Sequence, residues 1–183
     1  MKEMKILITG IGITAKSTLR RLLKGVLRDF GLSVEQYDAD KFEELRSTAD
    51  IDCLKALPDT FQENVVYIIE DVHGPLSSAS LPLESYDLIL YVKPDIFSHL
   101  MFWLQRTWAW VKIGRFSWEP ERGWLGTGKA YDFRNIFPIL KTLFRDFQNR
   151  KKRISQDLKI ISSFPHLIVH SKWTHHGIKF SIP

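Results

Sequence analysis

Lys16 and Ser17 are the residues whose types and neighbours most directly imply chemistry in this chain. An ammonium beside a hydroxyl, at the start of a helix and just after a glycine-punctuated turn, can hold a polyphosphate. The ammonium reaches the β- and γ-phosphates and the hydroxyl binds Mg²⁺. Loop N–H groups and the partial positive charge of the helix N-terminus line the cradle. The turn runs Gly10-Ile11-Gly12-Ile13-Thr14-Ala15, and Thr18 follows the Lys-Ser pair. Gly10, Lys16 and Ser17 satisfy the spacing G-x-x-x-x-G-K-[ST], with Ala15 where the second glycine belongs. A methyl group there hampers the loop if the residue needs φ > 0, a region glycine enters without steric cost.

Such a loop works only if a strand delivers it and a helix carries it away. Ile6-Leu7-Ile8 is the apolar run that predicts the strand. Leu19, Leu22, Leu23, Val26, Leu27 and Phe30 recur at helical spacing, and Gly31 stands where a helix-ending glycine belongs. Leu32–Tyr37 predicts a second strand ending in Asp38-Ala39-Asp40. Asp40 with Glu43 has the spacing of a capping box, which gives Asp40 a structural role as an alternative. Carboxylates at the carboxyl end of a strand lie where open α/β sheets bind ligands. Asp38 or Asp40 there can take a proton from an attacking hydroxyl, or hold Mg²⁺ through water.

Residues 41–57 read as a helix stopped by Pro58. Val65–Ile69 is almost continuously apolar, as a strand buried on both faces should be, and it ends in Glu70-Asp71. An apolar strand ending in acid can orient the Mg²⁺ shell against the phosphates. Glu70 and Asp71 compete for that role, and on an alternating strand they face opposite sides. Asp71 is the preferred metal-side residue.

Tyr86–Val92 predicts another buried strand. Ile96–Ile113 predicts a helix with Phe97, Leu100, Met101, Leu104, Trp108 and Val111 on its core face. Residues 114–133 break the pattern between two helices, and loops of that length are commonly lids or binding loops. A lid can bring Arg115 or Arg122 onto a transferring phosphoryl group while excluding water, and Arg106 on the preceding helix is the alternative for that role. Arg134–Arg153 predicts a further helix and His166–Val169 a last strand. The loop expected after it carries Trp173, which can stack on a purine base. His170, His175 and His176 lie together there without a cysteine, which argues against zinc.

The chain has 183 residues, 44% of them hydrophobic, which suits one compact domain over residues 1–183. Its one cysteine excludes an internal disulfide and suits a reducing cytoplasm, and the N-terminus does not read as a signal peptide. No apolar run reaches the ~20 residues of a membrane span, so no membrane partner is expected. Charge is uneven. Residues 1–95 hold 11 Lys and Arg against 16 Asp and Glu, whereas residues 96–183 hold 15 against 5. The basic second half suits a polyanion, either nucleotide phosphates or nucleic acid. The alternative for Arg150-Lys151-Lys152-Arg153 is simple solvation of a helix end.

The order of elements resembles the P-loop kinase group of nucleoside, nucleotide, shikimate and related small-molecule kinases. GIGITAKS looks like the Walker A loop. Asp38-Ala39-Asp40 is similar to the Asp-x-Asp of shikimate-kinase-like enzymes. Asp71-Val72-His73 is similar to the Asp-x-His of archaeal-type and nuclear adenylate kinases. The resemblance implies an α/β, three-layer P-loop NTPase fold, with a mostly parallel five-stranded sheet of order 2-3-1-4-5. It also implies ATP with Mg²⁺ as donor and a nucleoside, nucleotide or other small acceptor. Two other classes stay open: a degenerate P-loop protein that binds nucleotide without catalysis, and a polynucleotide kinase or nucleic-acid-binding protein.

Overall fold

The computed structural model describes residues 2–12, 14–38, 60–71, 81–113, 117–119, 123–125 and 136–183. Of these, Asp38 and residues 106–113, 117–119, 123–125, 136–140, 142, 143 and 146 are described by backbone alone. The chain is α/β. β1 (Met4–Thr9) leads through the glycine turn into α1 (Lys16–Asp29), then β2 (Ser33–Asp38) and β3 (Val65–Glu70). A 3-10 turn at Leu83–Ser85 precedes β4 (Leu88–Pro94) and α2 (Ile96–Ile113). β5 (Ser117–Glu119), β6 (Gly123–Leu125), α3 (Ile136–Ile161), β7 (His166–Thr174) and β8 (Gly177–Ser181) complete the order.

Six strands form the main sheet in the order β2-β3-β1-β4-β7-β8. The first five in that order run parallel, and β8 pairs antiparallel with β7. The sheet therefore has one strand more than the five expected. β7 also runs five residues beyond Val169, so His170–Thr174 is strand rather than a loop over a base. Thr174 through Gly177 turns the chain into β8, with Gly177 at φ +114°.

β3 is buried at all six positions between β2 and β1, which explains its near-continuous apolar sequence. Side chains of alternating parity build two cores. Leu7, Tyr67, Ile69, Ile89 and Tyr91 pack with Ile154, Leu158 and Ile161 of α3. Ile6, Ile8, Val66, Ile68 and Val92 pack with Leu19, Leu23 and Leu27 of α1. The sheet thus carries α1 on one face and α3 on the other. Only part of the wide α1 stripe packs, because Leu22, Val26 and Phe30 stay exposed. At its C-terminus, Gly31 at φ +78° lets the Leu32 N–H reach the Leu27 carbonyl.

Two further expectations, for α2 and α3, change. The buried side of α2 is formed by Ser98, His99, Phe102 and Trp103, whereas Phe97, Leu100 and Leu104 face solvent. Polar Ser98 and His99 sit inward because both have partners there, so hydrophobicity mislabels the face. α3 continues to Ile161 rather than ending at Arg153, since Ile154, Leu158 and Ile161 prolong its sheet-facing row. Its basic run therefore lies within the helix, and Arg150 is buried. Inside the segment expected as a lid, β5 and β6 pair antiparallel, with Trp118 opposite Trp124. The helix expected over residues 41–57 lies outside the described residues. Among the described residues no helix is long and apolar enough to cross a membrane.

Candidate functional site

The site is built where β1, β3 and β4 end. Gly10 leaves β1 at φ +143°, and a Cβ there would stand 2.5 Å from the Val92 carbonyl oxygen of β4. Only glycine lets the chain turn this close to the neighbouring strand. A Cβ at Gly12 would meet nothing within 4 Å. Ala15, the residue standing in the second glycine's place, adopts φ +67° and ψ +25°, the left-handed region. Its backbone caps α1: the Thr18 and Leu19 N–H groups both donate to the Ala15 carbonyl at 3.1 Å. No side chain caps this helix and no acid lies in its first turn, so nothing anionic on α1 quenches the positive end.

Lys16 folds back into the turn. Its Nζ donates to the Gly10 carbonyl at 2.8 Å and to the Ile11 carbonyl at 3.3 Å, and the side chain is buried. Two more carbonyls of the turn are held from other elements. His99 of α2 donates to the Gly12 carbonyl at 2.9 Å, and Ser171 of β7 donates to the Thr14 carbonyl at 3.1 Å. Donors from three helices and strands thus fix the carbonyls of one short segment.

The two acids at the end of β3 part company, as alternation requires. The Ser17 hydroxyl donates to Glu70 Oε1 at 2.7 Å, and Arg20 Nε lies 2.9 Å from Glu70 Oε2. The Arg20 N–H is not aimed squarely at that oxygen, so the contact is an ion pair rather than an aligned hydrogen bond. Arg20 also donates to Gln36 of β2 at 3.1 Å. Asp71 turns to the α3 side. Its N–H donates to the Ile8 carbonyl at 3.0 Å, and its carboxylate accepts from the Thr9 hydroxyl at 3.2 Å. The residue expected beside Ser17 was Asp71; the residue found there is Glu70.

On the α3 side, Tyr91 donates to the buried Asp157 carboxylate at 2.8 Å. Tyr91 pairs in register with Thr9, so Asp71 and Asp157 hang from neighbouring residues. Burial raises the Asp157 carboxyl above its ordinary range and the Asp71 charge adds to this. The Tyr91 hydrogen bond, Arg153 and Lys16 act against it. Burial, with help from Asp71, likewise pushes the Tyr86 phenol up. The turn's lysine thus shares one electrostatic neighbourhood with two buried acids.

The other expected residues are placed unevenly. Asp38 ends β2 in register with Glu70, which sets its backbone one strand away from the Ser17 contact. Asp40, Ile13, Arg115 and Arg122 lie outside the described residues, and Arg106 is described only as backbone in α2. Trp173 is committed to the fold. Its N–H donates to the Ser98 hydroxyl at 2.8 Å, and its ring meets Phe102 edge-on at 5.9 Å. Beside it, Asp95, His170, Ser171, Lys172, Ser181 and Pro183 line a groove of about 330 Å³. Among the described residues no three His, Cys, Asp or Glu converge as a metal set. Mg²⁺ on a nucleotide needs fewer protein ligands, since phosphates and waters supply the rest.

Thr9, Arg20, His99, Tyr91, Asp157 and Ser171 are site neighbours that the sequence alone did not single out. Their partners lie far along the chain, and locally only strand alternation, which sets Glu70 and Asp71 on opposite sides, was available. Compared with known families and curated proteins, the chain matches no family model and no curated sequence.

Proposed function

We propose that this chain is an ATP-dependent phosphotransferase of the P-loop kinase kind, with the three-layer fold of that group. Its acceptor is a small hydroxyl or phosphate compound, a nucleoside or nucleotide by preference. One observation carries the reading: Lys16 is buried and folded onto the Gly10 carbonyl at the start of α1, where no side chain caps the helix, directly before a serine hydroxyl bound to the Glu70 carboxylate. An ordinary strand-to-helix turn has no reason to bury an ammonium there, and its helix would gain about 1 kcal/mol from a capping side chain that this one lacks.

The donor set fits a nucleotide with Mg²⁺. The Ser17 hydroxyl donates its hydrogen bond to Glu70, which leaves its lone pairs for a cation, and Glu70 suits contact with that cation through water. When bound, Mg²⁺ neutralises charge on the β- and γ-phosphates. Lys16 and the amides of the turn stabilise charge on the same oxygens. Asp38 or Asp40 takes the acceptor's proton as its oxygen bonds to the γ-phosphorus and the bond to the β-phosphate oxygen breaks. Arg106, Arg115 or Arg122 steadies the transferring group. The groove beside Ser171 shares that residue with the turn, which supports it as the place for the nucleoside part of a ligand.

The test is transfer of labelled γ-phosphate from ATP to a panel of nucleosides, nucleoside monophosphates and oligonucleotides. A labelled product that Lys16→Met fails to make supports the proposal. Equal product from both proteins removes Lys16 from the mechanism.

A further inference from the structure

His99 touches the turn, yet the phosphotransfer scheme above gives it no task. It sits in the first turn of α2 with 2% of its surface exposed. Its Nε2 lies 2.9 Å from the Gly12 carbonyl oxygen. A carbonyl only accepts, so Nε2 carries the proton. The ring also stacks on Phe147 of α3, with centroids 5.0 Å apart and planes 23° from parallel. One side chain therefore joins the turn to α2 and to α3, the helices on either side of residues 114–135 in the chain.

The ring is suited to a fixed role. Burial holds its pKa down to about 4. Arg150 of α3 and Lys16 of α1 push the same way, and the Gly12 hydrogen bond opposes them. His99 is thus a neutral donor across ordinary pH, and the positive charges that face it keep it so. Its bond matters because a carbonyl oxygen turned into an anion cradle repels phosphate. The carbonyls of Gly10 and Ile11 are held by Lys16, that of Thr14 by Ser171, and that of Gly12 by His99.

We propose that His99 is a positioning residue: its Nε2–H pins the Gly12 carbonyl to α2, its stack on Phe147 extends that pin to α3, and the turn is held ready for a polyphosphate. The inference rests on the phosphotransfer reading of the turn and adds to it the control of the loop by α2 and α3. The experiment is calorimetric titration of ATP–Mg²⁺ into wild type, His99→Gln and His99→Phe, with thermal unfolding of each. Glutamine keeps a donor at that place, whereas phenylalanine keeps the stack and loses the donor. The expected Kd rises about tenfold in His99→Phe and stays within about threefold in His99→Gln. Equal affinity in wild type and His99→Phe overturns the inference and leaves the phosphate reading standing. Wild type that binds no ATP overturns both. Nitrogen-15 NMR of the wild-type imidazole decides the matter even if the phenylalanine variant fails to fold. An Nε2–H tautomer unchanged from pH 5.5 to 8 is expected, and a ring that titrates near 6.5 or carries its proton on Nδ1 overturns the pin.

Discussion

Ser17 Oγ donates to Glu70 Oε1 at 2.7 Å, which ties the first turn of α1 to the last residue of β3. The contact lies on the α1 face of the sheet, together with the Arg20 ion pair. Asp71, one residue on, lies with Thr9, Tyr86 and Asp157 on the other side. Strand alternation separates the two acids, and it sets the glutamate rather than the aspartate beside Ser17.

Glu70→Gln and Asp71→Asn should therefore differ. Glu70→Gln is expected to weaken ATP affinity about tenfold with Mg²⁺ present, and little without it. It also leaves Arg20 buried without its counter-charge, at a cost of about 3 kcal/mol. Asp71→Asn should leave the Mg²⁺ dependence intact. Calorimetry with and without Mg²⁺ checks this, and the reverse pattern would return the role to Asp71.

Ala15 at φ +67° is an L-residue in a region that costs it about 1–2 kcal/mol. Glycine removes that strain and gives back roughly 0.5–1 kcal/mol in unfolded-chain entropy. Ala15→Gly should then stabilise the protein by about 0.5–1 kcal/mol, seen as a higher urea midpoint with an unchanged slope. A lower midpoint would show that the left-handed geometry is wrong.

The two glycines of the turn should respond very unequally to alanine. Gly10→Ala drives a methyl onto the Val92 carbonyl at positive φ and should cost about 2–4 kcal/mol. Gly12→Ala meets open space and should change stability by no more than about 0.5 kcal/mol. Denaturant melts of both variants compare the two directly.

The turn and α1 were legible because their information is local. An apolar strand, two glycines, Lys-Ser and a stripe closed by Gly31 all lie within one short segment. Even the strain at Ala15 could be anticipated from its place in the spacing. β3 was legible because burial on both faces leaves an unbroken apolar run. α2 misled, since Ser98 and His99 face inward to partners in β7 and the turn, and a hydrophobic pattern reads such a face as exposed. β8 was missed although Gly177 and the alternation of Ile178 and Phe180 after the histidines signal a hairpin. The Gly12–His99 bond spans 87 residues, and nothing in either neighbourhood announces the other.

His99 should leave a mark on acid stability. Its folded pKa of about 4 lies below the unfolded value of 6.5, so the unfolded chain takes the proton first. Stability from this group is complete above about pH 7 and is lost as pH falls from 6.5 towards 4, by about 3 kcal/mol in all. Other carboxylates also titrate there, so the quantity to measure is the difference between wild type and His99→Gln across pH 4–7. A constant difference would mean that the ring titrates normally in the fold.

Titration of ATP–Mg²⁺ into wild type and Lys16→Met by calorimetry decides whether the turn holds a polyphosphate. Saturable binding at one site per chain is expected in wild type, weakened at least about tenfold when the ammonium is replaced. No heat from wild type at millimolar nucleotide, or equal affinity in both proteins, would contradict the phosphotransfer proposal.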